Sequence, residues 1–211
     1  KAFSSGTVVT GKANKTVPTD LRSTATSEWA LAVDTISGLD HLEGEEVSVF
    51  GDGFVDGSPY NPAYTTYTVS GGSITLNSPR AVVHVGLPFF ADIETLDTDT
   101  VSGESIADRG KSNSALTVWL DKTRGGFVGP KPPSDDTVDA LEDLIEFKPR
   151  TIESYDSPPT LKTGKYELDV LSEWSNHGRI FIRQVDPIPM SVLAVVQSGY
   201  YPIRRGGDSG R

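Results

Sequence analysis

The stretch 36–87 constrains the fold most, because in it short apolar runs alternate with glycine turns. Apolar side chains recur at every second position in 47–50 and again in 74–76. That period is what a strand with one buried face requires. Asp-Gly at 52–53 and Gly-Gly at 71–72 are residue pairs that adopt the positive φ angles of tight turns. The stretch therefore predicts several short strands joined by tight turns.

The same alternation returns further along the chain, at 116–120, 166–170 and 180–185. With 21 Gly and 14 Pro to form turns, this pattern predicts an all-β fold, an antiparallel β-sandwich or barrel-like domain with long loops and little helix. The run at 190–197 is nearly all apolar, which predicts a strand buried on both faces. The residues predicted to be buried are Val49, Leu76, Val85, Leu116, Val118, Ile180, Ile182 and Val195.

The chain divides by composition into three parts. Residues 1–28 are rich in Ser, Thr, Gly and Lys, which predicts an extended arm or the end of a preceding domain. Residues 29–200 are predicted to form the β-rich domain, whose first strand spans 29–36. Residues 201–211, with many glycines, are predicted to be a flexible tail.

Two segments inside the predicted domain lack a strand pattern. The acidic, Thr-rich segment within 89–113 has no clean period and is predicted to be a long surface connection. In 137–147, apolar residues recur at helical spacing, which predicts one short helix with Ser134 or Asp135 as its cap.

Composition excludes several classes of function. The chain has no cysteine, so disulfides and thiolate metal sites are ruled out. No apolar run approaches the ~20 residues of a membrane-spanning helix. The formal net charge of −10 disfavours sequence-independent DNA binding, which depends on Lys and Arg that neutralise phosphates. A local exception is the Arg204-Arg205 pair, which forms a basic patch or lies solvated in the tail.

No catalytic, cofactor or metal site is predicted, and the chain is predicted not to be an enzyme. His41, His84 and His177 have neither a zinc-ligand spacing nor a neighbouring nucleophile turn. Clustered carboxylates are expected in a chain with 29 acidic residues, and they favour a solvated face over a glycosidase pair. Residues 124–126 lack the Lys and Ser/Thr that complete a phosphate-binding loop.

Aromatic residues are the remaining candidates for a contact site. Tyr60, Tyr64 and Tyr67 lie close together in one insert, and Trp29 opens the first predicted strand. Such side chains stack on sugars or form subunit contacts. The alternative is that the tyrosines line a hairpin, since aromatic residues are common in sheets.

Four separated sequence blocks occur in an order that resembles a known family. They are Gly38-Leu-Asp-His-Leu-Glu-Gly44, Val83-His-Val-Gly-Leu-Pro88, Gly178-Arg-Ile-Phe-Ile-Arg-Gln184 and Pro187-Ile-Pro-Met-Ser-Val-Leu-Ala-Val-Val196. In this order they resemble the C-terminal region of phage tail nozzle proteins. These are the tail tubular protein B-like, or packaged-DNA-stabilisation, proteins of short-tailed bacteriophages.

The resemblance implies a structural protein of the virion tail. Nozzle proteins of this kind form a six-fold ring below the portal adaptor protein, extend the channel for the packaged DNA and close it until ejection. DNA passes without specific binding, and tail fibres or spikes attach around the ring. These proteins are longer and carry a β-propeller-like part upstream, so we expect this chain to be a fragment or a separately built region. The resemblance carries no catalytic residue and suggests extended chain, not helix, in 137–147.

A ring also predicts contacts between copies, which we expect from the N-terminal arm or the 89–113 segment. The alternative function is a glycan-binding or tail-fibre attachment module of a phage tail, in which the tyrosines would act as stacking platforms.

Overall fold

The computed structural model describes the backbone of the strands at 8–10 and 16–18, and residues 32–101, 103–135, 139–147, 158–171 and 173–201. The chain forms two compact units, unit 1 (Lys1–Pro88) and unit 2 (Phe89–Arg211). The boundary between them lies inside the stretch predicted as one β-rich domain, and the predicted bounds of that domain stay a prediction.

Unit 1 consists of short antiparallel strands. In chain order they are β1 (Val8–Thr10), β2 (Thr16–Pro18), β3 (Val33–Ser37), β4 (Glu46–Gly51), β5 (Phe54–Gly57), β6 (Tyr67–Thr68), β7 (Ser73–Arg80) and β8 (Val83–Gly86). Strand β1 pairs with β2, and β3 pairs with β7. Strand β4 is the centre of the third sheet and pairs with β5, β6 and β8. The described part of the chain has one helical turn, the 3-10 turn Asp40–Leu42.

The turns of unit 1 confirm the glycine pattern. Asp52 and Gly53 have φ angles of 49° and 86°, as a two-residue hairpin turn between β4 and β5 requires. Gly71 and Gly72 also have positive φ, 60° and 65°. Their N–H groups both donate to the Glu43 carboxylate, at 2.9 and 2.7 Å. This turn is therefore tied to the segment just before β4.

Unit 2 holds the remaining strands. They are β9 (Ala91–Glu94), β10 (Thr100–Val101), β11 (Glu104–Ser105), β12 (Ser112–Thr123), β13 (Gly126–Gly129), β14 (Ile145–Phe147), β15 (Lys162–Asp169), β16 (Phe181–Gln184) and β17 (Val192–Tyr200). One sheet has the order β15-β12-β17 and another the order β14-β13-β16-β9, while β10 and β11 form a hairpin. The core cluster of unit 2 joins side chains of both larger sheets, so this unit is an antiparallel sandwich. The all-β prediction is confirmed.

The predicted core is largely confirmed. Six of the residues are buried, namely Val49, Leu76, Leu116, Val118, Ile180 and Ile182. Val85 and Val195 are only partly buried and pack at the margins of the two clusters. Both lie in strands that have just one neighbour in the sheet, β8 beside β4 and β17 beside β12, so these strands are covered less completely than central ones.

Three local predictions fail. No helix forms in 139–147; Asp143 has a φ of +59°, which interrupts a helix, and Leu144 packs beneath Gly129 instead. The 89–113 segment is not only a surface connection, because β9 pairs with β16 and Ile106 is buried. The 190–197 run is not buried on both faces, because β17 alternates between half-buried and exposed residues.

A buried guanidinium anchors β9 to the sandwich. Arg183 is 2% exposed and donates two hydrogen bonds to the Asp92 carboxylate, at 2.8 and 2.7 Å, and one to the Ala140 carbonyl at 3.0 Å. Its guanidinium also lies over the rings of Phe90 and Phe181. Because a buried charge is tolerated only when it is paired and hydrogen-bonded, this arrangement explains how a strand without buried residues stays in place.

Candidate interaction surface

The two faces of the β15-β12-β17 sheet differ in what covers them. On the inner face, Leu116, Val118 and Leu120 of β12 are at most 1% exposed and join the core cluster of unit 2. On the outer face, β12 presents Ala115, Thr117 and Trp119, which alternate with the buried residues. The core accounts for the inner face, and the outer face needs a different explanation.

The outer face is apolar along β17. Thr117 is opposite Val196, and Trp119 is opposite Ala194. The exposed fraction is 50% for Trp119, 66% for Leu193 and 55% for Val196. We call the set Trp119, Leu193, Ala194 and Val196 the apolar face. Large hydrophobic side chains that gather in one exposed patch are typical of an interaction site.

The two edges of this sheet carry different charges. Strand β15 has Lys162, Lys165, Glu167 and Asp169, whereas β17 has no charged residue. Charged side chains on an edge strand discourage pairing with another chain. Strand β17 spans nine residues and lacks this protection, so the apolar face continues into an edge without charged side chains.

Leu96 is a second exposed apolar feature of unit 2. It lies in the turn after β9 and is 89% exposed, more than any other large hydrophobic side chain in the described residues. Backbone hydrogen bonds fix this turn on both sides, from Thr95 N–H to the Ile180 carbonyl at 2.9 Å and from Thr98 N–H to the His177 carbonyl at 3.0 Å. Leu96 is therefore held outward by an anchored turn.

The predicted contact residues are placed as follows. Tyr67 is 8% exposed and belongs to the core cluster of unit 1, and its hydroxyl accepts a hydrogen bond from Asn77 N–H at 3.2 Å. The Tyr67 ring therefore packs within the sheet of unit 1, as the alternative to a contact site proposed. It is buried and does not face a ligand. Tyr60 and Tyr64 are half-buried. Trp29 lies outside the described residues, as do all but the last five positions of the predicted strand 29–36.

An ion-pair network lies next to the Leu96 turn. The Asp97 carboxylate accepts hydrogen bonds from Arg179 Nε and, at 3.1 Å, pairs with His177 Nδ1. Arg179 Nη1 also donates to Glu94 at 3.0 Å. The bonds from Arg179 and then His177 hold the pKa of Asp97 below its usual range, and Asp97 and Glu94 raise the pKa of Arg179. The ion pairs among Asp97, Arg179, His177 and Glu94 therefore stabilise both these side chains and the Leu96 turn.

A buried lysine ties the same region to β12. The Lys111 side chain is fully buried, and its Nζ donates to the Asn176 carbonyl at 2.6 Å and lies 3.6 Å from Asp99 Oδ1. The backbone of Lys111 exchanges two hydrogen bonds with Ser175. The contacts of Lys111 thus join the 97–99 and 175–178 segments, which is a structural role.

The other two histidines lie outside this network, in β8 and in the 3-10 turn. His84 is exposed on β8 and faces away from Val83 and Val85, as the alternation predicted. His41 lies in the 3-10 turn. In the parts of the chain that the structure describes, no group of three or more His, Cys, Asp or Glu side chains is arranged to hold a metal ion. No helix within those parts is long and apolar enough to cross a bilayer.

Comparison with known proteins does not place the chain in a family. No protein-family model matches it, and no curated protein sequence is similar to it.

Proposed function

We propose that this chain is a structural subunit of the tail nozzle of a short-tailed bacteriophage. In this role it forms a six-fold ring that extends the DNA ejection channel and closes it before infection. The ordered sequence blocks that resemble nozzle proteins support this class of protein. The observation that carries the proposal is the apolar face, because a small unit that leaves such a surface uncovered requires a partner.

A closed ring needs two different patches that fit each other head to tail. Unit 2 offers both. The apolar face is a set of exposed apolar side chains on one sheet, and Leu96 is an outward side chain on an anchored turn. In the proposed ring, Leu96 of one copy packs on the apolar face of the next. Leu96 lies inside the 89–113 segment from which the sequence predicted a contact with a neighbour.

The charge of the chain suits passage of DNA. With a formal net charge of −10, the ring repels phosphates and does not retain a duplex that must pass quickly. The portal adaptor protein lies above the ring in this proposal, tail fibres or spikes attach around it, and the chain is located in the virion tail. The role needs no catalysis and no cofactor.

The assembly step is tested in solution with charged substitutions. Trp119→Asp and Leu96→Asp each place a charge in the proposed contact, and we expect both to shift sedimentation from a ring to monomers. Leu87→Asp is the matched control, because Leu87 is 56% exposed but lies in unit 1. Rings that survive both substitutions in unit 2 would show that the contact lies elsewhere.

The location is tested by imaging. Cryo-electron microscopy of virions that carry a tagged copy of this protein is expected to show six tags in one axial ring at the tail. Tags found only on peripheral fibres, or absent from the particle, would overturn the nozzle assignment.

A further inference from the structure

The hairpin of β1 and β2 is separate from the other sheets. At its centre Val9 is opposite Val17. Among the described residues, neither strand of the hairpin pairs with any other strand of the chain. A single two-stranded hairpin is at best marginally stable in water, and further strands or a packing partner stabilise it. The hairpin therefore gains stability if it pairs with one more strand.

The two outer edges of the hairpin differ in their capacity to pair. Strand β2 contains Pro18, which has no N–H group to donate, and proline is typical of edges that do not pair further. Strand β1, Val8–Thr10, contains neither a proline nor a charged residue. The edge of β1 is therefore the one that can continue the pairing.

Strand β17 has a second free edge. In the described part of the chain it pairs with β12 alone, and its nine residues carry no charge. Beside this edge the outer face remains apolar as far as Tyr200, whose exposed ring contacts that of Trp174 edge to face, with the centroids 5.8 Å apart. An uncharged edge of this length is a template to which another strand can add.

The free edge of β17 is close to the proposed contact at Leu96. Gln197 of β17 donates from Nε2 to Thr95 Oγ1 at 2.8 Å, and its Oε1 accepts a hydrogen bond from Thr98 Oγ1 at 3.1 Å. Thr95 and Thr98 lie on either side of Leu96 in the chain, so the Leu96 turn is tied to β17. A strand that adds to β17 is therefore continuous with the contact surface of the proposed ring.

The connection to the hairpin is long enough to reach a neighbouring copy. Residues 19–31 link β2 to the described residues that begin at position 32. A connection of this length spans at most about 45 Å, whereas a domain of about 100 residues has a radius of gyration of only about 13 Å. The hairpin can therefore extend past its own unit to the next copy.

Charge also favours this contact. Residues 1–18 contain three lysines and no acidic residue, whereas the whole chain has a formal net charge of −10. The hairpin is thus a basic segment of an acidic protein. Opposite charges attract the hairpin to another copy and speed their encounter.

We propose that β1 of one copy adds as a strand to the free edge of β17 in a neighbouring copy. The sheet then has the order β15-β12-β17-β1-β2, in which the last two strands belong to the other copy. This inference rests on the proposed ring, because it requires a second copy. It adds backbone hydrogen bonds between strands to the side-chain contact of Leu96, and each hairpin links one copy to the next around the closed ring.

Cross-linking with single cysteines tests the strand addition, because the chain has no cysteine of its own. Full-length protein with Val9→Cys is mixed with protein that has one cysteine at Ala194, Val196 or Ser198, which are exposed on β17. Each chain then has one cysteine, so a disulfide between position 9 and β17 joins two copies. We expect at least one of the three positions, which sample different registers, to form this disulfide on oxidation.

The matched controls are Lys165→Cys, Glu167→Cys and Asp169→Cys on the opposite edge of the sheet. These residues are exposed and are opposite the same three β12 residues as Ala194, Val196 and Ser198. We expect them to cross-link to position 9 about ten-fold less or weaker still, because a disulfide forms only where two Cα atoms come within about 7 Å.

A proline in β1 tests the backbone hydrogen bonds. Val9→Pro removes the N–H at the centre of β1 and is expected to raise the Kd for association of the copies about ten-fold or more, as measured by sedimentation. Val9→Thr retains the N–H and a β-branched side chain, and it is expected to associate as the unchanged protein does.

Three results would overturn the strand addition. They are no disulfide between position 9 and β17, equal cross-linking to β15 and β17, or equal association of Val9→Pro and Val9→Thr. The contact of the proposed ring is read separately from Trp119→Asp and Leu96→Asp. Assemblies that survive both of these substitutions and still form the disulfide would refute the apolar-face contact alone, whereas assemblies lost in both, with no disulfide in their absence, would refute the strand addition alone.

Discussion

Among the described residues of unit 1 the large hydrophobic side chains that remain exposed are Val82 and Leu87, whereas among those of unit 2 many more are exposed and several gather on one sheet. Unit 1 also ties its turns with carboxylates. Asp52 accepts hydrogen bonds from Ala81 and Val82 N–H, both at 2.8 Å. Unit 2 instead uses its ion pairs to hold the turn with an outward Leu96.

The difference indicates that the two units relate differently to partners. A unit whose apolar side chains and turns are satisfied internally needs no partner, and unit 1 approaches this condition. Unit 2 has a well-packed core behind Leu116 but leaves the opposite face of the same sheet uncovered. Substitutions at buried positions of both units, and at one carboxylate that ties a turn of unit 1, are expected to separate the contributions of core packing and turn ties to stability.

The largest effect is expected from the two faces of the β15-β12-β17 sheet. Leu116→Ala removes a side chain that is 1% exposed, and we expect a loss of about 2–5 kcal/mol in the free energy of unfolding. Leu193→Ala on the outer face is expected to change it by less than about 0.5 kcal/mol in the monomer. Urea denaturation at low protein concentration measures both, and equal losses would contradict the assignment of faces.

A smaller effect is expected from packing in unit 1. A Cβ atom on Gly57 would lie 2.6 Å from Cδ2 of the buried Tyr67 ring, so Gly57→Ala should lower the free energy of unfolding by about 1–3 kcal/mol. Gly86 is the control, because nothing lies within 4 Å of its Cβ position. Thermal unfolding should separate the two variants. A Gly57→Ala protein as stable as Gly86→Ala would mean that Tyr67 is loosely packed.

The smallest effect concerns pH and the Glu43 carboxylate. Hydrogen bonds from Gly72 and then Gly71 N–H lower the pKa of Glu43 below its ordinary value of 4.5. Because the pKa is lower in the folded protein, this stabilisation is complete above about pH 4.5 and is lost as the pH falls through the folded pKa.

We therefore expect Glu43→Gln to reduce the fall in the urea midpoint as the pH is lowered from about 6 to about 3. Glu45→Gln removes the same charge from an exposed neighbour and serves as the control. Identical pH profiles for Glu43→Gln and the unchanged protein would show that the tie to the glycine turn contributes no measurable stability.

Strands with one buried face could be predicted from the sequence. In β12 the buried Leu116, Val118 and Leu120 alternate with Thr117 and Trp119, so one face is marked by composition alone. Tight turns at 52–53 and 71–72 were predictable for a similar reason, since few residues adopt positive φ.

The exposed face of β17 could not be predicted, because the sequence does not distinguish an apolar residue on an exposed contact surface from an apolar residue in the core. Val196 therefore looked like core. The Trp119 signal was present, however, since a large aromatic residue shared the polar side of an alternating strand. Trp174 and Tyr200 are far apart in the chain and carry no local pattern that would join them.

The helix predicted for 137–147 is absent from the described part, 139–147, for a different reason. Leu141, Leu144 and Ile145 have helical spacing, but two successive turns satisfy the backbone, with hydrogen bonds from Glu142 N–H to Asp139 and from Leu144 N–H to Leu141. Leu144 finds its packing partner at Gly129, in another strand. Such long-range packing overrides a short local pattern.

The pairing of β12 with β17 has a consequence for synthesis. Leu116 is opposite Gln197, so β12 leaves the ribosome roughly 80 residues before this neighbour, a delay of about 4–16 s at ordinary elongation rates. During that time one side of β12, the longest strand among the described residues, has no backbone partner from β17. Conditions that slow translation late in the message should therefore raise the insoluble fraction more than the same delay placed before β12.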